Sequence, residues 1–424
     1  MAASTRRSVI TGIGVLSAVG TNPATFWENL SAGRTGIKRI QHVDPEQLPF
    51  RVAAYISDFD AKKQIDKKMR KALNVMARTV QLGVVAAQLA MENAKMGEGQ
   101  LDPARFGIEF GASMIASDLD DIARASKIST NCKPGFVDYE IWGAQGLSQI
   151  PPLWMLKYLP NMPACHVSIQ HNAQGPNNTM TASDVAGILA LGEAFRISER
   201  GTADFFLVGA TESKMNPLSL SRHATFQQLS RKFEHPEKVL RPFDQGRDGT
   251  VMGEGAGVLG LEDLEHATKR GAKIYAELLG FASGFDRKKD GEVLGKIILK
   301  ALKEARVSPE EIDHVNAHGI GTPSADIMEA RGIANVFGTK TPVVAYKPNF
   351  GTMGAAGGLV ELTASILALE NGLLPPTLNC ENQDPACPIH IHKEGLRPVT
   401  KPHFVKISFT DMGQVAVAVL KKPE

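Results

Sequence analysis

Short β-rich runs alternate with longer helical runs along this chain, in two successive rounds. The first round opens with residues 8–15 (SVITGIGV), then a turn and a helix near 23–31. A long helix follows at about 67–94, where alanines, leucines and methionines form an apolar stripe at helical spacing. Strands are predicted at 105–110, 204–209, 251–260 and 274–280, with an amphipathic helix at 183–196. The second round has helices at 291–305, 326–337 and 354–371 between strands at 314–317 and 343–346, and closes with strands at 404–409 and 415–420. Strands separated by helices of this length argue for parallel βαβ construction. The expectation is an α/β protein built from two similar halves, 1–265 and 266–424. Residues 117–163 are rich in proline and glycine, and are expected as an inserted loop-and-helix region that builds a partner surface or a tunnel.

At 424 residues the chain exceeds what one hydrophobic core usually supports, which agrees with two halves. A net charge of +2 is too small to imply a nucleic-acid partner or strong attraction to a membrane surface. Of the cysteines Cys132, Cys165, Cys380 and Cys387, only the last two are close, and no metal-ligand repeat adjoins them. No metal and no cofactor are therefore expected, and a reducing compartment follows. No run reaches the roughly 18 apolar residues of a membrane helix, and residues 1–15 carry no long apolar stretch, so no signal peptide is expected. The reading is cytoplasmic. Cys165 is expected on a buried strand.

Four glycine-rich segments carry more specific information. Residues 241–261 read RPFDQGRDGTVMGEGAGVLGL, which alone suggests a turn and a tight hairpin. Together with VNAHGIGTPSADIMEA (315–330), KPNFGTMGAAGG (347–358) and VITGIGVLSAVG (9–20), in this order, it resembles the β-ketoacyl-acyl-carrier-protein synthase family, nearest the elongating type-two enzymes. The resemblance implies a five-layered αβαβα thiolase fold and a dimer, with a site where the two halves meet. It also implies an acyl carrier protein as partner, presenting its phosphopantetheine arm. In that family a cysteine attacks a thioester at a helix N-terminus, where the dipole and free amides stabilise a thiolate. Two histidines assist decarboxylation of a malonyl unit, with a lysine and a glutamate in support.

Carried over residue by residue, the pattern is incomplete. The nucleophile falls nine residues after Gly175, at Asp184. The first histidine matches His318, followed by Asp326 and Glu329 at the family's spacing, and the lysine matches Lys347. The second histidine falls on Thr352, and the phenylalanine-gated glycine loop is replaced by Thr410-Asp411-Met412-Gly413. Asp326 and Asp411 are the candidate substrate contacts. A carboxylate attacking a thioester would give a reactive anhydride rather than a transferable thioester, and an ionised Asp184 would repel a malonyl carboxylate. Ordinary condensation is not expected.

Three readings stay open. One is a chain-length-factor-like, non-condensing partner in a heterodimer with an active ketosynthase, although such factors carry Gln where Asp184 stands. The second is an acyl-thioester hydrolase or acyltransferase using Asp184 and His318, with Asp411 as a further candidate. The third is an acyl-binding scaffold homodimer. Plainer roles stand beside these. Asp184, with Ser183, would cap a helix, His318 would face a pocket or persist as a relic, and Glu329 with Lys347 would form a structural ion pair or network. The basic run Lys62, Lys63, Lys67, Lys68, Arg70 and Lys71 is a solvated helix face or a surface that steers an acidic carrier protein.

Overall fold

The computed structural model describes residues 6–423 except 45, 47, 98, 131, 132 and 134, so Cys132 lies outside the described residues. Eleven strands form one large sheet. They are β1 (Ser8–Leu16), β2 (Phe106–Ala112), β3 (Asn177–Thr181), β4 (Phe205–Glu212), β5 (Gly255–Asp263) and β6 (Ala276–Phe285). Then come β7 (Ile312–Asn316), β8 (Pro342–Val344), β9 (His390–Ile391), β10 (His403–Phe409) and β11 (Gln414–Lys421). The spatial order is β9-β8-β7-β10-β11-β6-β1-β5-β4-β2-β3.

The order contains a repeat that residue-level comparison of the sequence does not show. From the middle outward, β1-β5-β4-β2-β3 matches β6-β11-β10-β7-β8. In each set the first two pairings are antiparallel and the last two parallel. The sets meet where Ser8–Ile10 pairs with Ala276–Leu278. Both faces of β1 and β5 are covered, which is why they read as unbroken apolar and glycine runs.

Six helices set the layers: α1 (Arg78–Asn93), α2 (Ala186–Glu199), α3 (Pro217–Phe226), α4 (Glu292–Ala305), α5 (Pro323–Phe337) and α6 (Gly357–Asn371). One outer layer has α1 on β1, β4 and β5, and the opposite one has α4 on β6 and β11 with α5 against α4. Between the sheet halves, α2 and α6 pack on each other and on strands of both sets, giving αβαβα. Their near-complete burial explains why α6, apart from Glu361, is mostly apolar on every side. The crossing of α2 over β2 requires Gly111, where a Cβ would lie 2.4 Å from both Ala186 C and Gly187 N.

Several sequence expectations are corrected. The helix at 67–94 is two 3-10 turns, Lys67–Met69 and Ala72–Val75, followed by α1. Met76 and Ala77 are extended and buried, breaking the helix to fill the core beneath it. No hairpin forms at 241–261. Its first part is irregular, bridged at Leu229–Thr250 and Met252–Thr352, and only β5 is regular. Cys165 lies half-buried on the helix Met162–His171, not on a buried strand. β3 and α3 escaped the sequence reading; β3 (NNTMT) is a polar edge strand without apolar alternation. The insertion does fold as loops and short helices, including Leu119–Ser129 and Trp154–Tyr158. Among the described residues no helix is long and apolar enough to cross a membrane.

Candidate functional site

Asp184 stands where the chain leaves β3 and enters α2. The reversal takes so few residues that Ser183 adopts φ +51°, a conformation uncommon outside glycine. A 3-10 turn, Ser183–Val185, then leads into α2, placing Asp184 among free helical N–H groups that favour negative charge. Its side chain caps no backbone amide, so the capping reading is corrected; it accepts a hydrogen bond from Ser183 Oγ at 3.0 Å. The carboxylate is half-buried and faces a cavity of about 420 Å³, shared with Lys214, Arg222, His223 and Asp411.

Charge in this cavity is mixed. Burial opposes the ammonium of Lys214, but Glu212 and then Asp184 outweigh it and hold Lys214 above its ordinary value. Lys214 is 2.9 Å from Glu212, whose other oxygen accepts Ala355 N at 2.6 Å. Burial, then Lys214, push His223 down, and its Nδ1 donates to Ser219 O at 2.7 Å. Asp411 is exposed at the cavity lip, yet the protein packed around it, and then the charge of Asp184, push its carboxyl up against the pull of Lys289.

His318 belongs to a second, closed cluster. After β7 the chain turns at Gly319, with φ +51°. Two carboxylates of α5 clamp this turn. Glu329 accepts His318 N and Gly319 N at 2.6 and 2.8 Å, and Asp326 accepts Phe243 N and Gly321 N at 2.9 and 3.0 Å. Burial pushes Glu329 up to about 7 and Asp326 up to about 6. Asp326 is fully buried, so its expected role as a substrate contact is corrected to that of an anchor. Of the two arrangements expected for Glu329 and Lys347, the structure has the network, joined through His318, rather than a direct ion pair. Lys347 Nζ lies 2.7 Å from Glu361 Oε1, 2.5 Å from His318 O and 3.1 Å from His318 Nδ1. A protonated lysine only donates, so His318 Nδ1 accepts and the ring proton sits on Nε2. That Nε2 is buried without a partner among the described residues. Burial, then Lys347 and Lys406, hold His318 well below its ordinary value.

The His318 ring packs at 4.4 Å against Phe409. Phe409 lines a neighbouring cavity of about 320 Å³ that shares Phe226, Gln227, Thr410 and Asp411 with the first. His318 and Lys347 line neither of these cavities; the His318 ring reaches only as far as Phe409, which lines the second. Thr352 is buried, with Oγ1 2.5 Å from Thr250 Oγ1. The structure thus brings Asp184 and Asp411 together, and His318, Lys347 and Glu329 together elsewhere. Sequence reading missed Glu361 and Lys406. Each is a lone charge inside an otherwise apolar buried run (GLVELTAS, FVKISF), and that is the signal that could have found them. Among the described residues no group of metal-ligating side chains assembles.

This αβαβα architecture is that of a thiolase-fold ketosynthase, and the comparisons name the family. The chain belongs to the β-ketoacyl synthase family: residues 5–267 match the model of its N-terminal domain and 275–381 that of its C-terminal domain. It is 34% identical over 391 residues to 3-oxoacyl-[acyl-carrier-protein] synthase 2 of Coxiella burnetii, covering 90% of each chain. Over 429 residues it is 30% identical to the Vibrio harveyi protein of the same name, covering 99% of each. Among solved structures it is similar to the ishigamide ketosynthase/chain length factor, with TM-score 0.86 and 28% identity over 99% of this chain and 100% of that one. A type II polyketide acyl-carrier protein in complex with its ketosynthase also matches, with TM-score 0.82 and 26% identity over 99% and 100% of the two chains.

Proposed function

We propose that this protein is a non-condensing, chain-length-factor-like partner of an active ketosynthase. The observation that carries the reading is Asp184, a carboxylate at the helix start where the family resemblance sets the nucleophilic thiol. Thr352, bonded to Thr250 where a second histidine is expected, supports it. An acid–base enzyme built on Asp184 and His318 has less support, because His318 is buried against Phe409 and does not line the cavity that Asp184 faces. The similarity to a ketosynthase/chain length factor favours a heterodimer. An acyl carrier protein, presenting its phosphopantetheine arm, is the proposed docking partner. Lys62, Lys63, Lys67, Lys68, Arg70 and Lys71 are exposed and suited to steering its acidic surface. The division at residue 265 is part of this reading and rests on the repeated strand order.

The test incubates the purified protein with acyl- and malonyl-carrier protein and follows protein and products by mass spectrometry. The expected result is neither a covalent acyl adduct nor an extended chain, with product appearing when a cysteine-bearing homologue is added and co-purifies. Acyl-protein together with chain-extended product from this protein alone would overturn the proposal.

A further inference from the structure

Two buried lysines share one carboxylate in the closed cluster. Lys347 takes Oε1 of Glu361 at 2.7 Å, and Lys406 takes Oε2. The side chains of Lys406 and Glu361 are 0% exposed and that of Lys347 is 1% exposed. Lys406 Nζ also reaches Asn316 Oδ1 at 3.1 Å and Ala317 O at 3.3 Å. Each ammonium has three N–H donors, and each set is spent within the cluster. The amide nitrogen of Asn316 is committed to Glu361 O at 2.6 Å and Ser365 Oγ at 2.8 Å, which turns its oxygen to Lys406. Lys406 therefore grips the two residues immediately before His318, while Lys347 grips His318 itself.

We propose that Lys406 is a positioning residue for His318. By holding Glu361 Oε2 and the carbonyl of Ala317, it keeps Glu361 where Lys347 must donate to His318 Nδ1, so the imidazole stays neutral with its proton on Nε2. The charged and titratable groups around the ring come from four directions. These are Lys347 after β8, Glu361 on α6, Lys406 on β10, and Glu329 and Asp326 on α5, with Arg247 beyond Asp326 at 3.4 Å. A third cation on His318 would add to two ammoniums that already share a single carboxylate. Burial lowers Lys406 itself to about 8, so its charge is lost within an accessible pH range. The inference concerns the state of the ring and stands whether or not the protein condenses acyl chains.

The test records imidazole nitrogen shifts of the full chain labelled with 15N-histidine, from pH 5 to pH 10, with His318 assigned by its loss in His318→Asn. The expected result is a neutral Nε2–H ring from pH 5 upward, with a step in the His318 Nδ1 shift near pH 8 as Lys406 loses its proton. In Lys406→Met the step disappears and His318 protonates at higher pH than in the native chain. Lys406→Arg restores the neutral form at low pH. A native titration with no step in the His318 Nδ1 shift anywhere between pH 5 and pH 10 overturns the proposal, and that measurement decides even where Lys406→Met does not fold. A folded Lys406→Met protein whose His318 titrates like the native one overturns it as well.

Discussion

The central helices α2 and α6 begin alike and meet different surroundings. Each is preceded by a 3-10 turn, Ser183–Val185 or Gly354–Ala356, containing a residue of positive φ, Ser183 at +51° and Gly354 at +48°. At α6 the turn is buried, and Ala355 N is bonded to Glu212 Oε2 at 2.6 Å. At α2 the same geometry opens onto a cavity and presents Asp184. The fold repeats the helix start twice, and whether that start becomes a wall or a site depends on what packs over it. Polar chemistry divides in a similar way: Glu361, Lys347 and Lys406 beside α6 are paired and enclosed, while Asp184 at the start of α2 faces the cavity.

The comparison can be broken first on the enclosed side. Glu361→Gln leaves two buried ammoniums without their carboxylate and should cost about 3–5 kcal/mol, seen as a lower midpoint in denaturant unfolding. Next in size is Glu109 on β2, which shares the α2-facing side with Gly111. It is 0% exposed with both carboxylate oxygens unpartnered among the described residues, and burial, then Glu193, pushes it up to about 7. The folded state holds the proton more tightly than the unfolded chain. Stability from this group is therefore full below about pH 4.5 and declines as pH rises towards 7. The loss by pH 8 should be on the order of 2–3 kcal/mol. Thermal melts of Glu109→Gln should show that decline removed, leaving a variant more stable than the native protein at pH 8.

Gly111→Ala tests the seat of α2 directly. The added methyl meets backbone atoms of Ala186 and Gly187, which cannot swing aside as a side-chain end would. A loss of about 2 kcal/mol is expected from overpacking, and an unchanged melting temperature would mean that α2 slides freely on β2. The smallest effect belongs to the open cavity. Asp411→Asn removes one of two repelling carboxylates at an exposed position, and should change stability by less than about 1 kcal/mol, in the favourable direction. A large loss there would mean that the open site is as tightly built as the closed one.

Much of the architecture was legible because helix and strand periods differ and because fully buried strands read as apolar runs. The strands near 204, 404 and 415 and the helices near 291 and 354 lie where their patterns place them. β3 was not legible, since an edge strand needs only one neighbour and its residues are polar. The motif positions Asp184, His318, Lys347 and Thr352 were legible from spacing, but the partners of their side chains were not. Glu361 lies 14 residues from Lys347 in the chain, Lys406 lies 45 from Glu361 and Phe409 lies 91 from His318. Spacing along a chain carries no information about which of these meet.

The amino-acid sequence by itself determined the alternation of elements, the family's motifs and the identity of the residue at each motif position, because local periodicity and turn chemistry act over a few neighbours. Only the tertiary structure decided that Asp184 opens to a cavity while His318 packs, buried, against Phe409, and that Glu361 serves two lysines. Burial and long-range pairing arise where distant segments pack, and the free energy of a charge depends on that packing rather than on its neighbours in the chain.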